Sequence, residues 1–100
     1  MDIPIVKYLA QTKNFFITDH ALIEAFKDGI SIDDIIWCLR NGTIIENYPE
    51  RYRCLIFAKL PQNIYIHTVI DYFEKKTFDV VTVYIPDERC WIKGRIRKLK

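Results

Sequence analysis

The chain has 100 residues, half of them hydrophobic, with 15 Lys plus Arg against 13 Asp plus Glu and a formal net charge of +2. Such a length predicts one domain over residues 1–100, the apolar content excludes a disordered chain, and no apolar run approaches the roughly 20 residues that span a bilayer. The charge is split, because residues 1–88 carry nine basic and all 13 acidic groups while 89–100 carry six basic groups and no acid, so a polyanion partner stays open despite the small total.

Met1-Asp2-Ile3-Pro4 has neither a basic nor an apolar leader region, so no secretory signal is expected. Proline at the head of Pro4–Thr12 suits the start of a first helix. Thr18 or Asp19 can cap a second, His20–Lys27, with Ala21, Leu22, Ala25 and Phe26 as its apolar stripe and Gly29 as its stop. Ser31 starts a third, with Asp33 and Asp34 in the first turn, a stripe of Ile32, Ile35, Ile36 and Leu39, and Asn41-Gly42 at its end. From Thr43 the apolar period drops to two. Thr43–Tyr48, Tyr52–Leu60, Ile64–Phe73 and Phe78–Ile85 are rich in β-branched and aromatic residues and are joined by short connections. The expectation is an α+β domain: two or three helices over about 4–41, packed on one face of a four-stranded antiparallel meander over about 43–85, with a basic C-terminal tail at 89–100.

The turn lengths suggest registers. Pairing Phe73 with Phe78 sets His67 opposite Tyr84 and Val69 opposite Thr82, and pairing Leu60 with Ile64 sets Phe57 opposite His67, Lys59 opposite Tyr65 and Arg53 opposite Asp71. One sheet face then carries Tyr52, Cys54, Ile56, Ala58, Leu60, Ile64, Ile66, Thr68, Ile70, Tyr72, Asp79, Val81, Val83 and Ile85, and should lie under the helices. The other carries Arg53, Leu55, Phe57, Lys59, Tyr65, His67, Val69, Asp71, Val80, Thr82 and Tyr84. Its mixture of aromatic, cationic and polar groups fits a binding surface, with an ordinary solvated face carrying an Arg53–Asp71 cross-strand pair as the alternative.

Three widely spaced cysteines without a C-x-x-C pair argue against a thiolate zinc site and for a reduced, cytoplasmic chain, and no metal or cofactor is expected. No nucleophile elbow, phosphate loop or zinc-protease motif is present. His20 has the position of an imidazole packed at a helix end, and His67 can be either a hydrogen-bonded structural group or a proton-transfer group. A metal-free chemistry open to this set is RNA cleavage, in which a 2′-hydroxyl attacks the neighbouring phosphate and the protein supplies a base, an acid and cations. His67 and Tyr84 have the acid–base types, Arg53 and Lys59 the charge, and Tyr65 and Phe57 can stack bases. Lys93, Arg95, Arg97 and Lys98 add backbone attraction, unless the tail is only a solubilising, frayed end.

The segments His20-Ala21, Gly29-Ile30-Ser31 with Asp34, Asn41-Gly42, Ile44-Ile45-Glu46, Tyr48-Pro49, Cys54-Leu55-Ile56, Ile66-His67-Thr68-Val69, Thr82-Val83-Tyr84-Ile85-Pro86-Asp87 and Trp91 resemble, in order, the family called domain of unknown function 4258. The resemblance implies a toxin of a type II toxin–antitoxin pair, related to MqsR, RelE and BrnT toxins, with a RelE- or BrnT-like ribonuclease fold. It implies RNA as substrate, including ribosome-bound mRNA, and a zinc-finger, MqsA-like antitoxin as partner. It carries any catalytic role to His20, His67 and Tyr84, and matches Trp91 as well. The chain departs from many members at Glu24 and Asp28, where basic residues are common. A non-catalytic module that binds nucleic acid or protein through the same face, and an accessory protein that pairs through the edge strand Thr43–Tyr48, are the competing expectations.

Overall fold

In the computed structural model, which describes residues 3–72 and 76–98, the chain begins with α1 (Ile3–Gln11), whose Val6, Leu9 and Ala10 are buried. A short strand, β1 (Phe15–Ile17), precedes α2 (Asp19–Lys27). The Thr18 hydroxyl accepts the Ala21 N–H at 3.1 Å and so caps α2. The helix ends in a Schellman motif: Gly29, at φ +72°, donates to Phe26, and Ile30 donates to Ala25 at 2.8 Å. α3 (Ile32–Asn41) opens with a reciprocal capping box, in which Ser31 Oγ accepts the Asp34 N–H and Asp34 Oδ2 accepts the Ser31 N–H. Gly42 then lets α3 meet the sheet directly, since a Cβ there would lie 2.5 Å from both the Cys38 carbonyl and Ile56 Cγ2.

Four strands follow: β2 (Thr43–Tyr48), β3 (Arg53–Lys59), β4 (Tyr65–Asp71) and β5 (Phe78–Tyr84), with a 3₁₀ turn at Pro49–Arg51. They pair antiparallel in the expected meander, and Arg53–Asp71, Phe57–His67, Lys59–Tyr65, His67–Tyr84 and Val69–Thr82 are opposite each other. The four-stranded description needs correction, because β1 adds to β5 in parallel and makes a five-stranded mixed sheet of order β1-β5-β4-β3-β2. Phe15 stacks on its partner Phe78 at 5.4 Å. The buried residues of the three helices and of one sheet face form a single core cluster.

A bulge corrects the assignment of faces in β5. Val69 pairs with Thr82 but Ile70 pairs with Val80, so Val81 is an extra residue and the alternation reverses below it. Phe78 and Val80 therefore enter the core beside Val83, and Asp79 is exposed. Without the bulge the expected pattern would have buried the Asp79 carboxylate, a cost of several kcal/mol. Tyr52, Ile64 and Ile85 at the strand ends are exposed rather than core, as are Phe26 and Ile32 of the helical stripes. The expected Phe73–Phe78 pair lies outside the described residues.

The basic segment after β5 is also not a frayed end over its described part. Trp91–Ile92 (β6) and Ile96–Arg97 (β7) form an antiparallel hairpin, extended by the Lys98 N–H to the Cys90 carbonyl at 2.8 Å. Lys93 and Gly94 take positive φ in its three-residue turn. Among the described residues no helix is long and apolar enough to cross a membrane.

Candidate functional site

The hairpin lies on the sheet face opposite the helices. Its Gly94 carbonyl is 2.5 Å from His67 Nε2, its Trp91 ring meets the His67 ring edge-on at 4.5 Å, and its Arg95 guanidinium sits over Phe57. Gly94 packs against Tyr65 and Phe57 so closely that a Cβ would lie 2.9 Å from Tyr65 Cβ. The aromatic part of this face is thus a second small core, which explains why Phe57, Tyr65, His67 and Tyr84 alternate with charged residues. His67 at its centre is fully buried.

The hydrogen bonds fix the tautomer of His67. A carbonyl only accepts, so Nε2 carries the proton and donates to Gly94. Nδ1 is then an acceptor, and the Tyr84 hydroxyl, 3.2 Å away, donates to it. Burial holds the imidazole below its ordinary pKa, against the opposing pull of the Gly94 carbonyl and the Glu46 carboxylate, while Arg97 lowers it further. Burial likewise raises the Tyr84 phenol. The pair therefore rests as neutral imidazole and neutral phenol, with the tyrosine proton directed inward and its oxygen lone pairs directed away.

Tyr84 lines a cleft of about 370 Å³ beside the hairpin, together with Arg51, Arg53, Arg97, Tyr48, Thr82 and Glu46, over a floor of Leu55 and Val69. Each of these cations but one is anchored. Asp71 holds Arg53 in a two-pronged pair at 2.6 and 3.0 Å and raises the guanidinium pKa. Glu46 takes Arg97 in the same way at 2.9 and 3.1 Å, and this contact is the main reason its own carboxyl pKa is lowered. The Tyr48 hydroxyl donates to the same carboxylate, and Arg97 stacks on Trp91 at 4.5 Å. Arg51 is exposed on the 3₁₀ turn at the rim. An arginine-lined cleft is suited to the oxygens of a phosphodiester.

Three of the sequence-derived site residues meet here: Arg53, Tyr84 and Arg97 line the cleft, and His67, hydrogen-bonded to Tyr84 from behind, is not part of the cleft lining. His20 is apart, exposed on the first turn of α2 with its Nε2 2.9 Å from Glu24 Oε1. Glu24 in turn accepts a hydrogen bond from Thr82, so His20 reaches the cleft wall through one carboxylate. Glu24 is one of the two positions at which the chain departs from the family resemblance, and here it ties α2 to Thr82 of β5. Lys59 is exposed and lines neither cleft of this face. Tyr65, Lys93 and Lys98 line a separate cleft on the other side of the hairpin, and Arg95 packs on Phe57. Sequence reasoning missed Arg51, Tyr48 and Glu46 as cleft residues. Among the described residues no group of three or more His, Cys, Asp or Glu converges as a metal site would require. Cys38 and Cys54 are buried, with their thiols pushed up to about 12 by burial, and Cys90 is exposed.

The family described as "Domain of unknown function (DUF4258)" matches residues 17–85, the span from the end of β1 to just past β5. No curated protein and no solved structure matches the chain.

Proposed function

This chain belongs to the DUF4258 family, and from that premise we propose that it is a metal-independent endoribonuclease that acts as a toxin, with Tyr84 as the proton-transfer group and His67 as its buried relay. The observation that supports this reading is the tyrosine hydroxyl bonded to a neutral, tautomer-fixed imidazole on one side and fronting three arginines on the other. A phosphodiester in the cleft would lie against Arg51, Arg53 and Arg97. The 2′-hydroxyl gives its proton to the Tyr84 oxygen as Tyr84 passes its own to His67 Nδ1. The 2′-oxygen bonds to phosphorus, and the bond to the 5′-oxygen breaks. The proton returns along the same path to that 5′-oxygen, leaving a 2′,3′-cyclic phosphate and a 5′-hydroxyl. The imidazolium formed midway donates to the Gly94 carbonyl and feels the nearby Glu46 carboxylate. The RelE- or BrnT-like relationship, a zinc-finger antitoxin that covers the cleft, and a cytoplasmic setting where the three thiols stay reduced belong to the same proposal.

The test is cleavage of single-stranded RNA, alone and on ribosomes, by nuclease-free protein. Tyr84→Phe keeps the ring, so it should fold normally yet cleave about 10²–10⁴-fold more slowly, the usual worth of a positioned acid–base group. A Tyr84→Phe protein as active as its parent would remove the relay. One observation favours a second reading, a non-catalytic RNA-binding module: His67 has no exposed atom and both ring nitrogens are engaged. Salt-sensitive RNA binding without any cyclic-phosphate product would establish that reading instead.

A further inference from the structure

The hairpin leaves a second, larger cleft of about 530 Å³ on its far side, between the β3–β4 turn and the segment that follows β5. We propose that this cleft is a nucleobase subsite that receives an unstacked guanine from the same RNA strand whose phosphate lies against the arginines. The proposal rests on the ribonuclease or RNA-binding reading above for its substrate class, and on the following geometry for its content.

The size falls within the range of small-molecule sites, about 300–1,000 Å³. Its apolar lining includes Tyr65 from β4, Ile85 just past β5 and Ile92 from β6. The Tyr65 ring is backed by Phe57, with ring centroids 5.5 Å apart, and by a Gly94 backbone so close that a Cβ there would lie 2.9 Å from Tyr65 Cβ. A ring backed this way is a stacking platform that costs little conformational entropy on binding. Four charged or amide side chains are part of its lining: Asn63, Glu88, Lys93 and Lys98. Among the described residues the Glu88 carboxylate has no ion-pair partner. An ionised carboxylate only accepts hydrogen bonds. Guanine is the base whose pairing edge offers two adjacent donors, N1–H and the N2 amino group, so a carboxylate beside an aromatic platform selects it over adenine, cytosine and uracil. Lys98 supplies the charge for the phosphate of that nucleotide. The two clefts are neighbours through consecutive residues, since Tyr84 lines one and Ile85 the other, and the Arg97–Trp91 stack forms the partition. A strand crossing that partition would place a flanking base in one cleft and the reacting phosphate in the other.

The experiment is amide-resolved NMR titration of the full chain with GMP, AMP, CMP and UMP, followed by Glu88→Gln. GMP should move the Tyr65, Ile85 and Ile92 amides and bind at least about tenfold tighter than AMP. Glu88 is exposed, so Glu88→Gln should fold as its parent while the preference collapses towards parity. Shifts confined to the Arg51–Arg53 region and equal for all four nucleotides, or a GMP preference unchanged in Glu88→Gln, would overturn the subsite. Cleavage of RNA oligomers tests the function separately. A protein that cleaves RNA without base preference loses only this subsite, whereas one that binds GMP here and cleaves nothing loses only the catalytic proposal.

Discussion

His67 shows how one residue's environment sets its chemistry. Its neutral form is the one the fold accommodates, because burial disfavours the charge more strongly than the Gly94 carbonyl and Glu46 favour it. The native state therefore binds a proton less readily than the unfolded chain, whose histidine titrates near the ordinary 6.5. Stability from this group is complete above that value and is lost as the pH falls from there towards the lowered native pKa. Thermal melts should show a fall in Tm between about pH 7.5 and 5.5, and His67→Leu should flatten that slope while lowering Tm at neutral pH by leaving the Tyr84 hydroxyl without its acceptor and the Gly94 carbonyl without its donor, a loss of about 1–3 kcal/mol. A parallel slope in the two proteins would show that another group titrates. The adjacency of His67 and Tyr84 was legible from turn length and strand alternation alone. The Arg51 position was not, because it depends on a 3₁₀ turn and on Tyr52 at φ +52°, neither of which a period-two pattern encodes. Nor was the Glu46–Arg97 pair, whose partners are 51 residues apart.

At the scale of elements, the meander could be read because short connections leave antiparallel neighbours few registers. β1 could not: three residues carry no measurable alternation, and their parallel partner begins at Phe78. The bulge was hidden because Val80 and Val81 are both apolar, so either phase of β5 reads as a strand with a core face. The hairpin had a signal that charge obscured, since Lys93-Gly94-Arg95 is flanked by Trp91, Ile92 and Ile96 in the manner of a short β-turn. Gly94 is the residue on which its docking depends. Gly94→Ala would force a side chain into φ +70° and against Tyr65, and should cost about 1–3 kcal/mol in urea denaturation. The same substitution should release Trp91 to solvent, visible as a red shift of its fluorescence, if the hairpin undocks. An unchanged spectrum and midpoint would mean that the turn adapts in place. In α2, Thr18→Ala should cost about 1 kcal/mol by uncapping the helix, with no effect on the hairpin signal.

For the molecule as a whole, net charge is a poor guide and its distribution a good one. The total is +2, yet three arginines are gathered in one cleft and two of them are already oriented by carboxylates. Neutralising about three phosphates on a single strand should give a slope near −2 for log affinity against log salt concentration. Arg51→Gln should make the slope shallower by about 0.7 without changing stability, since that side chain is at the exposed rim. A slope near zero would mean that RNA does not use this cleft. The long-range Glu46–Arg97 and His67–Gly94 contacts also impose an order of events during synthesis. A chain that ends at β5 contains every residue of the helices, the five-stranded sheet and the main core, but it lacks the hairpin that covers His67 and the Arg97 wall of the cleft. Only when Gly94 and Arg97 have been added can the His67 imidazole be covered and the third guanidinium join the cleft. The cleft is thus finished by residues translated after those that form the helices, the sheet and the main core.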